Sequence, residues 1–118
     1  MLPDIWGPSM WKSIHTIAVS YPLNPTHIDK KNYKQFFKYL AKVLPCKSCS
    51  SSFRKYMKHL PIDNYLSTNK RLLYWTYLIH NKVNKKLNKH VKISWGNIRK
   101  KYIHLSLLNC KYKIPKNI

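Results

Sequence analysis

Apolar residues recur at helical spacing along nearly the whole chain, and prolines cut that pattern into segments. Met10, Ile14, Ile17 and Tyr21 form one stripe, and Trp11, Ile14, His15 and Ala18 form an adjoining one. Together they predict a first helix over 8–21, with Pro8 in its first turn. Pro22 and Pro25 forbid its continuation. Asp29 is placed to cap a second helix, on which Tyr33, Phe36, Phe37, Leu40 and Leu44 share a face. Pro45 breaks that helix and opens a third, with Cys46, Cys49, Phe53, Tyr56 and Leu60 along one side and Pro61 at its end. After a polar turn over 64–69, Leu72, Thr76, Ile79, His80, Val83 and Leu87 make the longest periodic run. Ser94 is a cap for a fifth segment, with Trp95, Ile98, Tyr102 and Leu105 on one face. There is no period-two run and no hairpin dipeptide. The fold class is therefore all-α, a bundle of four helices plus a short fifth. Short connections pack neighbours antiparallel. Residues 1–108 form the folded domain; 109–118, basic and carrying Pro115, form a frayed tail.

Composition narrows the chemistry. The 118 residues suffice for one domain and not for two cores. The only acids are Asp4, Asp29 and Asp63, so mechanisms built on paired carboxylates are excluded, as are carboxylate-held metals. Gly7 and Gly96 are the only glycines, which excludes a Gly-rich phosphate loop and a Rossmann fingerprint. The formal charge of +20 predicts attraction to polyanions. Most of it comes from Lys, with Arg only at 54, 71 and 99, which favours non-specific attraction over base reading. The lean toward Lys, Asn, Ile and Tyr is also what A/T-rich coding produces, so charge alone does not define a partner. No run of about 18 apolar residues is present, so no membrane span is expected. The N-terminal stretch lacks the basic segment of a signal peptide, and the expected location is cytoplasmic.

Three groups of residues carry chemistry. The first is Pro45-Cys46-Lys47-Ser48-Cys49. At the start of a helix, free N–H groups and the dipole stabilise a thiolate, and three-residue spacing puts both sulfurs on one side. That suits thiol–disulfide exchange. A buried pair without a role, or half of a zinc site, fits the spacing as well, and no second ligand pair completes a zinc site. The second group lies in 80–89, where His80, Val83, Asn84 and Leu87 share a helix face. Two hydrogen-bonding groups among two apolar ones suit a planar, heteroatom-rich ligand; a solvated Lys/Asn surface is the plainer alternative. The third is Trp11 with His15, four apart on one face, able to stack on a ring system or simply to pack in the core.

In this order and at these separations the blocks resemble the Erv/ALR family of FAD-linked sulfhydryl oxidases. That family shows a Gly, then Trp-x-x-Leu-His-x-x-Ala, Tyr-Pro, Pro-Cys-x-x-Cys and His-Asn-x-Val-Asn-x-x-Leu-x-Lys. Here these read Gly7, Trp11 to Ala18, Tyr21-Pro22, Pro45 to Cys49 and His80 to Lys89. The resemblance implies FAD held non-covalently at one end of the bundle, and a homodimer. It implies that Cys46 and Cys49 are catalytic, Cys46 exchanging with substrate and Cys49 lying against the flavin. It implies that Gly7, Trp11, His15, Tyr21, His80, Val83, Asn84, Leu87, Lys89 and Trp95 bind the cofactor, and that no metal is needed. Lys82, Lys85, Lys86 and Lys89 are candidates to pair with the pyrophosphate.

The implied reaction moves electrons from a protein dithiol through the CxxC pair and flavin to O₂, giving H₂O₂. Larger relatives carry a shuttle disulfide, whereas here Cys110 is the one cysteine outside the CxxC and cannot form such a pair alone. A thioredoxin-like or virion protein is then the natural electron donor. The short, shuttle-free form resembles members from large cytoplasmic DNA viruses, which points to a host cytoplasm or virion location. Pro8 stands where many members have Arg. The competing reading is a small basic helical protein for nucleic-acid binding or virion packaging, with structural cysteines.

Overall fold

A computed structural model of the protein describes residues 1–89 and 93–109. Five α-helices are found there: α1 (Pro3–Val19), α2 (His27–Val43), α3 (Lys47–His59), α4 (Asn69–Lys86) and α5 (Trp95–Asn109), with a 3-10 turn over Ile62–Tyr65. The described residues contain no strand, as the periodicity predicts. The fifth helix is not short: its 15 residues exceed the 13 of α3, because no proline interrupts it. Cys110 and most of the basic tail lie outside the described residues.

Local chemistry sets the helix ends. The first helix starts at Pro3, five residues before the predicted Pro8, which lies inside it. Pro8 and Asp4 both face solvent, so water can satisfy the Asp4 carbonyl that Pro8 cannot bond. Asp29 is not the cap of α2 but the N3 residue of a capping box. The Asp29 N–H donates to Thr26 Oγ1 at 3.1 Å, and the Thr26 N–H donates to Asp29 Oδ2 at 2.8 Å. Thr68 caps α4 by accepting from the Arg71 N–H. At the far end of α4, Asn88 takes a left-handed φ of 55°. The Lys89 N–H then donates to the Asn84 carbonyl and the Asn88 N–H to that of Lys85, a Schellman closure.

α4 is the central helix, packed on α1, α3 and α5. That is why it buries Leu73 and Trp75 in addition to the predicted Leu72, Thr76 and Ile79. Asn69 at its start donates to the carbonyl of Val19 at the end of α1, while Lys86 at its end meets Ser48 and Ser52 at the start of α3. Both neighbours therefore run antiparallel to α4. The core centres on Trp75, Phe37, Ile14, Leu72, Leu73 and Ile79, with Phe37 set edge-on to Trp75 at 5.1 Å. Full burial of each such side chain contributes about 1.5–3 kcal/mol. Two residues predicted on buried faces are exposed: Phe36 on α2 (40 %) and Leu105 on α5 (41 %). Each lies at the margin of its stripe. No described helix is long and apolar enough to cross a membrane.

Candidate active site

The two thiols sit at the entry to α3, which starts two residues after the predicted Pro45. Cys46 is the N-cap, with extended backbone, and Pro45 precedes the helix. The Cys46 sulfur plays the part usually given to a Ser or Asp oxygen, accepting the Cys49 N–H at 3.2 Å. Both cysteines are free thiols and partly buried. Hydrogen bonds from the Cys49 thiol and then its backbone N–H lower the Cys46 thiol to about 7. Burial, then the hydrogen bond and negative charge of Cys46, raise Cys49 to about 11, opposed by the nearby Lys86 ammonium. Near neutral pH the outer sulfur is therefore ionised in about half of the molecules, while the inner one stays protonated.

Cys49 opens onto a cleft between the first half of α1, the start of α3 and the end of α4. Its walls include Trp6, Met10, Trp11 and Phe53, with Val83 and Leu87 from α4 and Lys86 and Lys89 at its polar edge. Gly7 also lines it. This glycine is buried, yet a methyl group placed on it would meet no atom within 4 Å. Space for a flat group thus runs directly against the helix backbone. Lys86 donates to the Ser48 carbonyl at 3.3 Å and to the Ser52 hydroxyl, which pins the end of α4 to the thiol-bearing turn.

Beside the cleft the aromatic wall continues into a histidine pair. The rings of Trp11 and His80 are parallel, with centroids 4.0 Å apart and planes within 6°. His80 Nδ1 lies 2.9 Å from His15 Nε2, and His15 Nδ1 lies 2.9 Å from Thr76 Oγ1. Burial, helped by Lys101, lowers His15 to about 4. Burial, then His15 and Lys89, lowers His80 to about 3. Both imidazoles are neutral at physiological pH. One turn after His80, Asn84 is only 7 % exposed, and its amide finds no hydrogen-bond partner among the described residues.

The family model for Erv1 / Alr matches residues 8–103. The chain belongs to the Erv1 / Alr family. A probable FAD-linked sulfhydryl oxidase of Acanthamoeba polyphaga mimivirus is 40 % identical over 85 residues, 71 % of this chain and 59 % of that protein. The FAD-linked sulfhydryl oxidase of an African swine fever virus isolate is 31 % identical over 107 residues, 91 % of this chain and 87 % of that protein. Among solved structures, the FAD-binding domain of Erv1 from Saccharomyces cerevisiae superposes with a TM-score of 0.81 at 33 % identity, covering 88 % of this chain and 96 % of that one. The chain spans 46 % of the full-length mitochondrial yeast relative.

The residues present fit the cofactor of this Erv1 / Alr fold. A buried glycine facing open space, a parallel Trp–His stack, a buried amide with no partner among the described residues and two lysines at the rim match a planar, heteroatom-rich, anionic ligand. Of the predicted cofactor residues, Gly7, Trp11, Val83, Leu87 and Lys89 line the cleft together with Cys49. His15, His80 and Asn84 adjoin it. Tyr21 and Trp95 are not brought there. Tyr21 is buried at the opposite end of α1, donating its hydroxyl to the Leu66 carbonyl at 2.8 Å. Trp95 packs against Tyr74 and Tyr77 on the outer side of α4, at 5.0 and 5.5 Å. Of the lysines expected at a pyrophosphate, Lys82 instead lies over the Tyr56 ring and Lys85 is exposed outside the cleft. Sequence reasoning missed Trp6, Met10 and Phe53 as cleft walls; Phe53, one helical turn after Cys49, had a usable signal in its spacing. Among the described residues no cluster of His, Cys, Asp and Glu could hold a metal ion.

Proposed function

We propose that this chain is an FAD-dependent thiol oxidase that makes disulfides in protein substrates. The observation that carries the reading is the division of the CxxC pair: Cys49 lines the aromatic cleft and Cys46, three residues earlier, caps the helix outside it. In the oxidised enzyme a substrate thiolate attacks the Cys46 sulfur, the Cys46–Cys49 bond breaks, and Cys49 departs as a thiolate. A second substrate thiolate displaces Cys46. The substrate leaves as a disulfide, and the enzyme keeps two electrons as a dithiol. A Cys46 thiol held at about 7 is a good leaving group for that displacement. Lys86 favours the Cys49 thiolate from which electrons depart. When bound, FAD supplies the two-electron acceptor and passes the electrons to O₂, giving H₂O₂.

The same proposal covers the partners and the place. Ile28, Phe36, Tyr39 and Val43 are exposed and fall within about a quarter-turn of one another on α2, a face suited to a second copy. With one cysteine outside the CxxC, a separate dithiol protein, thioredoxin-like or a virion component, supplies the electrons. Relatives named in large DNA viruses support a cytoplasmic or virion location. Residues 1–108 are the catalytic unit.

The deciding experiment is a visible spectrum of the purified protein before and after dithiothreitol in air. A flavin band that bleaches and recovers as O₂ is consumed is the expected result. A colourless protein that added FAD cannot reconstitute would refute the reading. Salt-dependent nucleic-acid binding would then be measured, because the +20 charge favours the alternative.

A further inference from the structure

The histidine pair ends in a residue outside the sequence blocks named above. Thr76 is fully buried in α4, and its Oγ1 lies 2.7 Å from the Leu73 carbonyl oxygen. Two oxygens at that distance need a proton between them, and the carbonyl has none to give. The Thr76 hydroxyl therefore donates to Leu73 and has only lone pairs left for His15. His15 Nδ1, 2.9 Å away, must carry its proton. In a neutral imidazole Nε2 is then bare, so it accepts from His80 Nδ1 at 2.9 Å. His80 in turn keeps a bare Nε2. That atom has no hydrogen-bond partner among the described residues. The ring that carries it is held parallel to Trp11, a wall of the cleft.

We propose that Thr76 is a positioning residue that fixes, through His15, the tautomer of His80, so that His80 Nε2 accepts a hydrogen bond from an N–H donor of the cofactor. The inference rests on the FAD reading above. FAD carries two such donors, the adenine amino group and the flavin imide. Had the chain of protons run the other way, Nε2 would be a donor and would repel either of them.

The test is nitrogen-15 NMR of the labelled holoenzyme, which reports which ring nitrogen of each histidine bears the proton. The expected wild-type result is Nδ1–H on both His15 and His80; a His80 proton on Nε2 would overturn the proposal. In Thr76→Val a buried Nδ1–H would have no acceptor, which is costlier than a bare nitrogen. Both tautomers should reverse, and FAD should bind roughly tenfold more weakly, the worth of one hydrogen bond. Thr76→Ser should restore both. Unchanged tautomers and affinity in Thr76→Val would refute the relay; if that variant does not fold, the wild-type and Thr76→Ser spectra decide. Titration with FMN separates the donors: a penalty shared by FMN assigns the imide, and one confined to FAD assigns the amine. The signals can be read without flavin, so a wild type that binds no FAD yet shows Nδ1–H on both rings would refute the oxidase reading while supporting the relay.

Discussion

The α1–α4 pair has two ends, and they treat polar groups in opposite ways. At one end each polar tip is tied to a backbone carbonyl: Tyr21 to Leu66, Trp75 to Leu60, Asn69 to Val19. The rings there are packed without open space, Trp75 fully buried and Tyr21 nearly so. At the other end a buried glycine faces open space, a buried amide has no described partner, and two neutral histidines leave one acceptor without a described partner. A chain that satisfies its polar groups at one end and leaves them unmet at the other, in one continuous core, is arranged to receive something there. Energetically the closed end contributes to stability and the open end gives some up.

The largest effect separating the two ends should come from the thiols. Cys46→Ser and Cys49→Ser should each lower turnover by on the order of a thousandfold or more, while melting temperature and bound flavin change little. Oxygen consumption with dithiothreitol measures the first, and circular dichroism and visible absorbance the second. Retained turnover in either variant would remove the assigned roles.

Acid should act next, and through the open end. His15 and His80 stand at about 4 and about 3 when folded, against an ordinary value near 6.5. Below pH 6.5 the unfolded chain binds more protons than the folded one, so stability falls as pH drops from 6.5 toward 3. Each histidine contributes at most about 1.4 kcal/mol per pH unit in that window, and the half-buried His80 less because solvent screens it. Urea midpoints at pH 7, 6 and 5 should decline accordingly. A flat profile would mean that the pair is not held neutral.

Smaller substitutions then sharpen the contrast. Tyr21→Phe leaves the buried Leu66 carbonyl without its donor and should cost about 1–2 kcal/mol, with FAD affinity unchanged. A cofactor defect in that variant would return Tyr21 to the site. Gly7→Ala should do the reverse. Alanine in place of a helical glycine adds about 0.5–1 kcal/mol of stability, and the methyl meets no protein atom. It would enter the space against α1, so FAD should bind roughly tenfold more weakly, about 1.4 kcal/mol. Thermal melts with flavin titration read both quantities at once.

How much of this was legible in the sequence follows from which forces are local. Helix identity was legible because spacing and proline act within one segment. The start of α1 was not, since nothing local says that solvent will satisfy the carbonyl Pro8 leaves free. The CxxC turn and the His80–Leu87 face were legible because their spacing is itself the geometry. The packing of Trp95 was not legible, because an aromatic at a helix start can turn toward either neighbour. Its partners Tyr74 and Tyr77 come from another element. Thr76 was placed on the buried face of α4, but its bond to His15 joins residues 61 positions apart. Trp6 became a cleft wall only when α1 started early, since the predicted helix began after it.

The smallest expected effect lies where the two ends are linked by the chain itself. Asn88 closes α4 in a left-handed conformation, and the residue after it, Lys89, is thereby turned to the rim of the cleft. Asparagine tolerates that φ better than most residues, but glycine carries no Cβ penalty there. Asn88→Gly should therefore raise stability by a few tenths of a kcal/mol up to about 1. FAD affinity should stay unchanged, because the backbone bonds that carry Lys89, from its own N–H and that of Asn88, are kept. Asn88→Val should act in the opposite sense on both counts, since a β-branched side chain resists positive φ and would unwind the closure. If Asn88→Val lost stability but kept full FAD affinity, Lys89 would not be held by this turn, and the rim charge would belong to the flexible lysine alone.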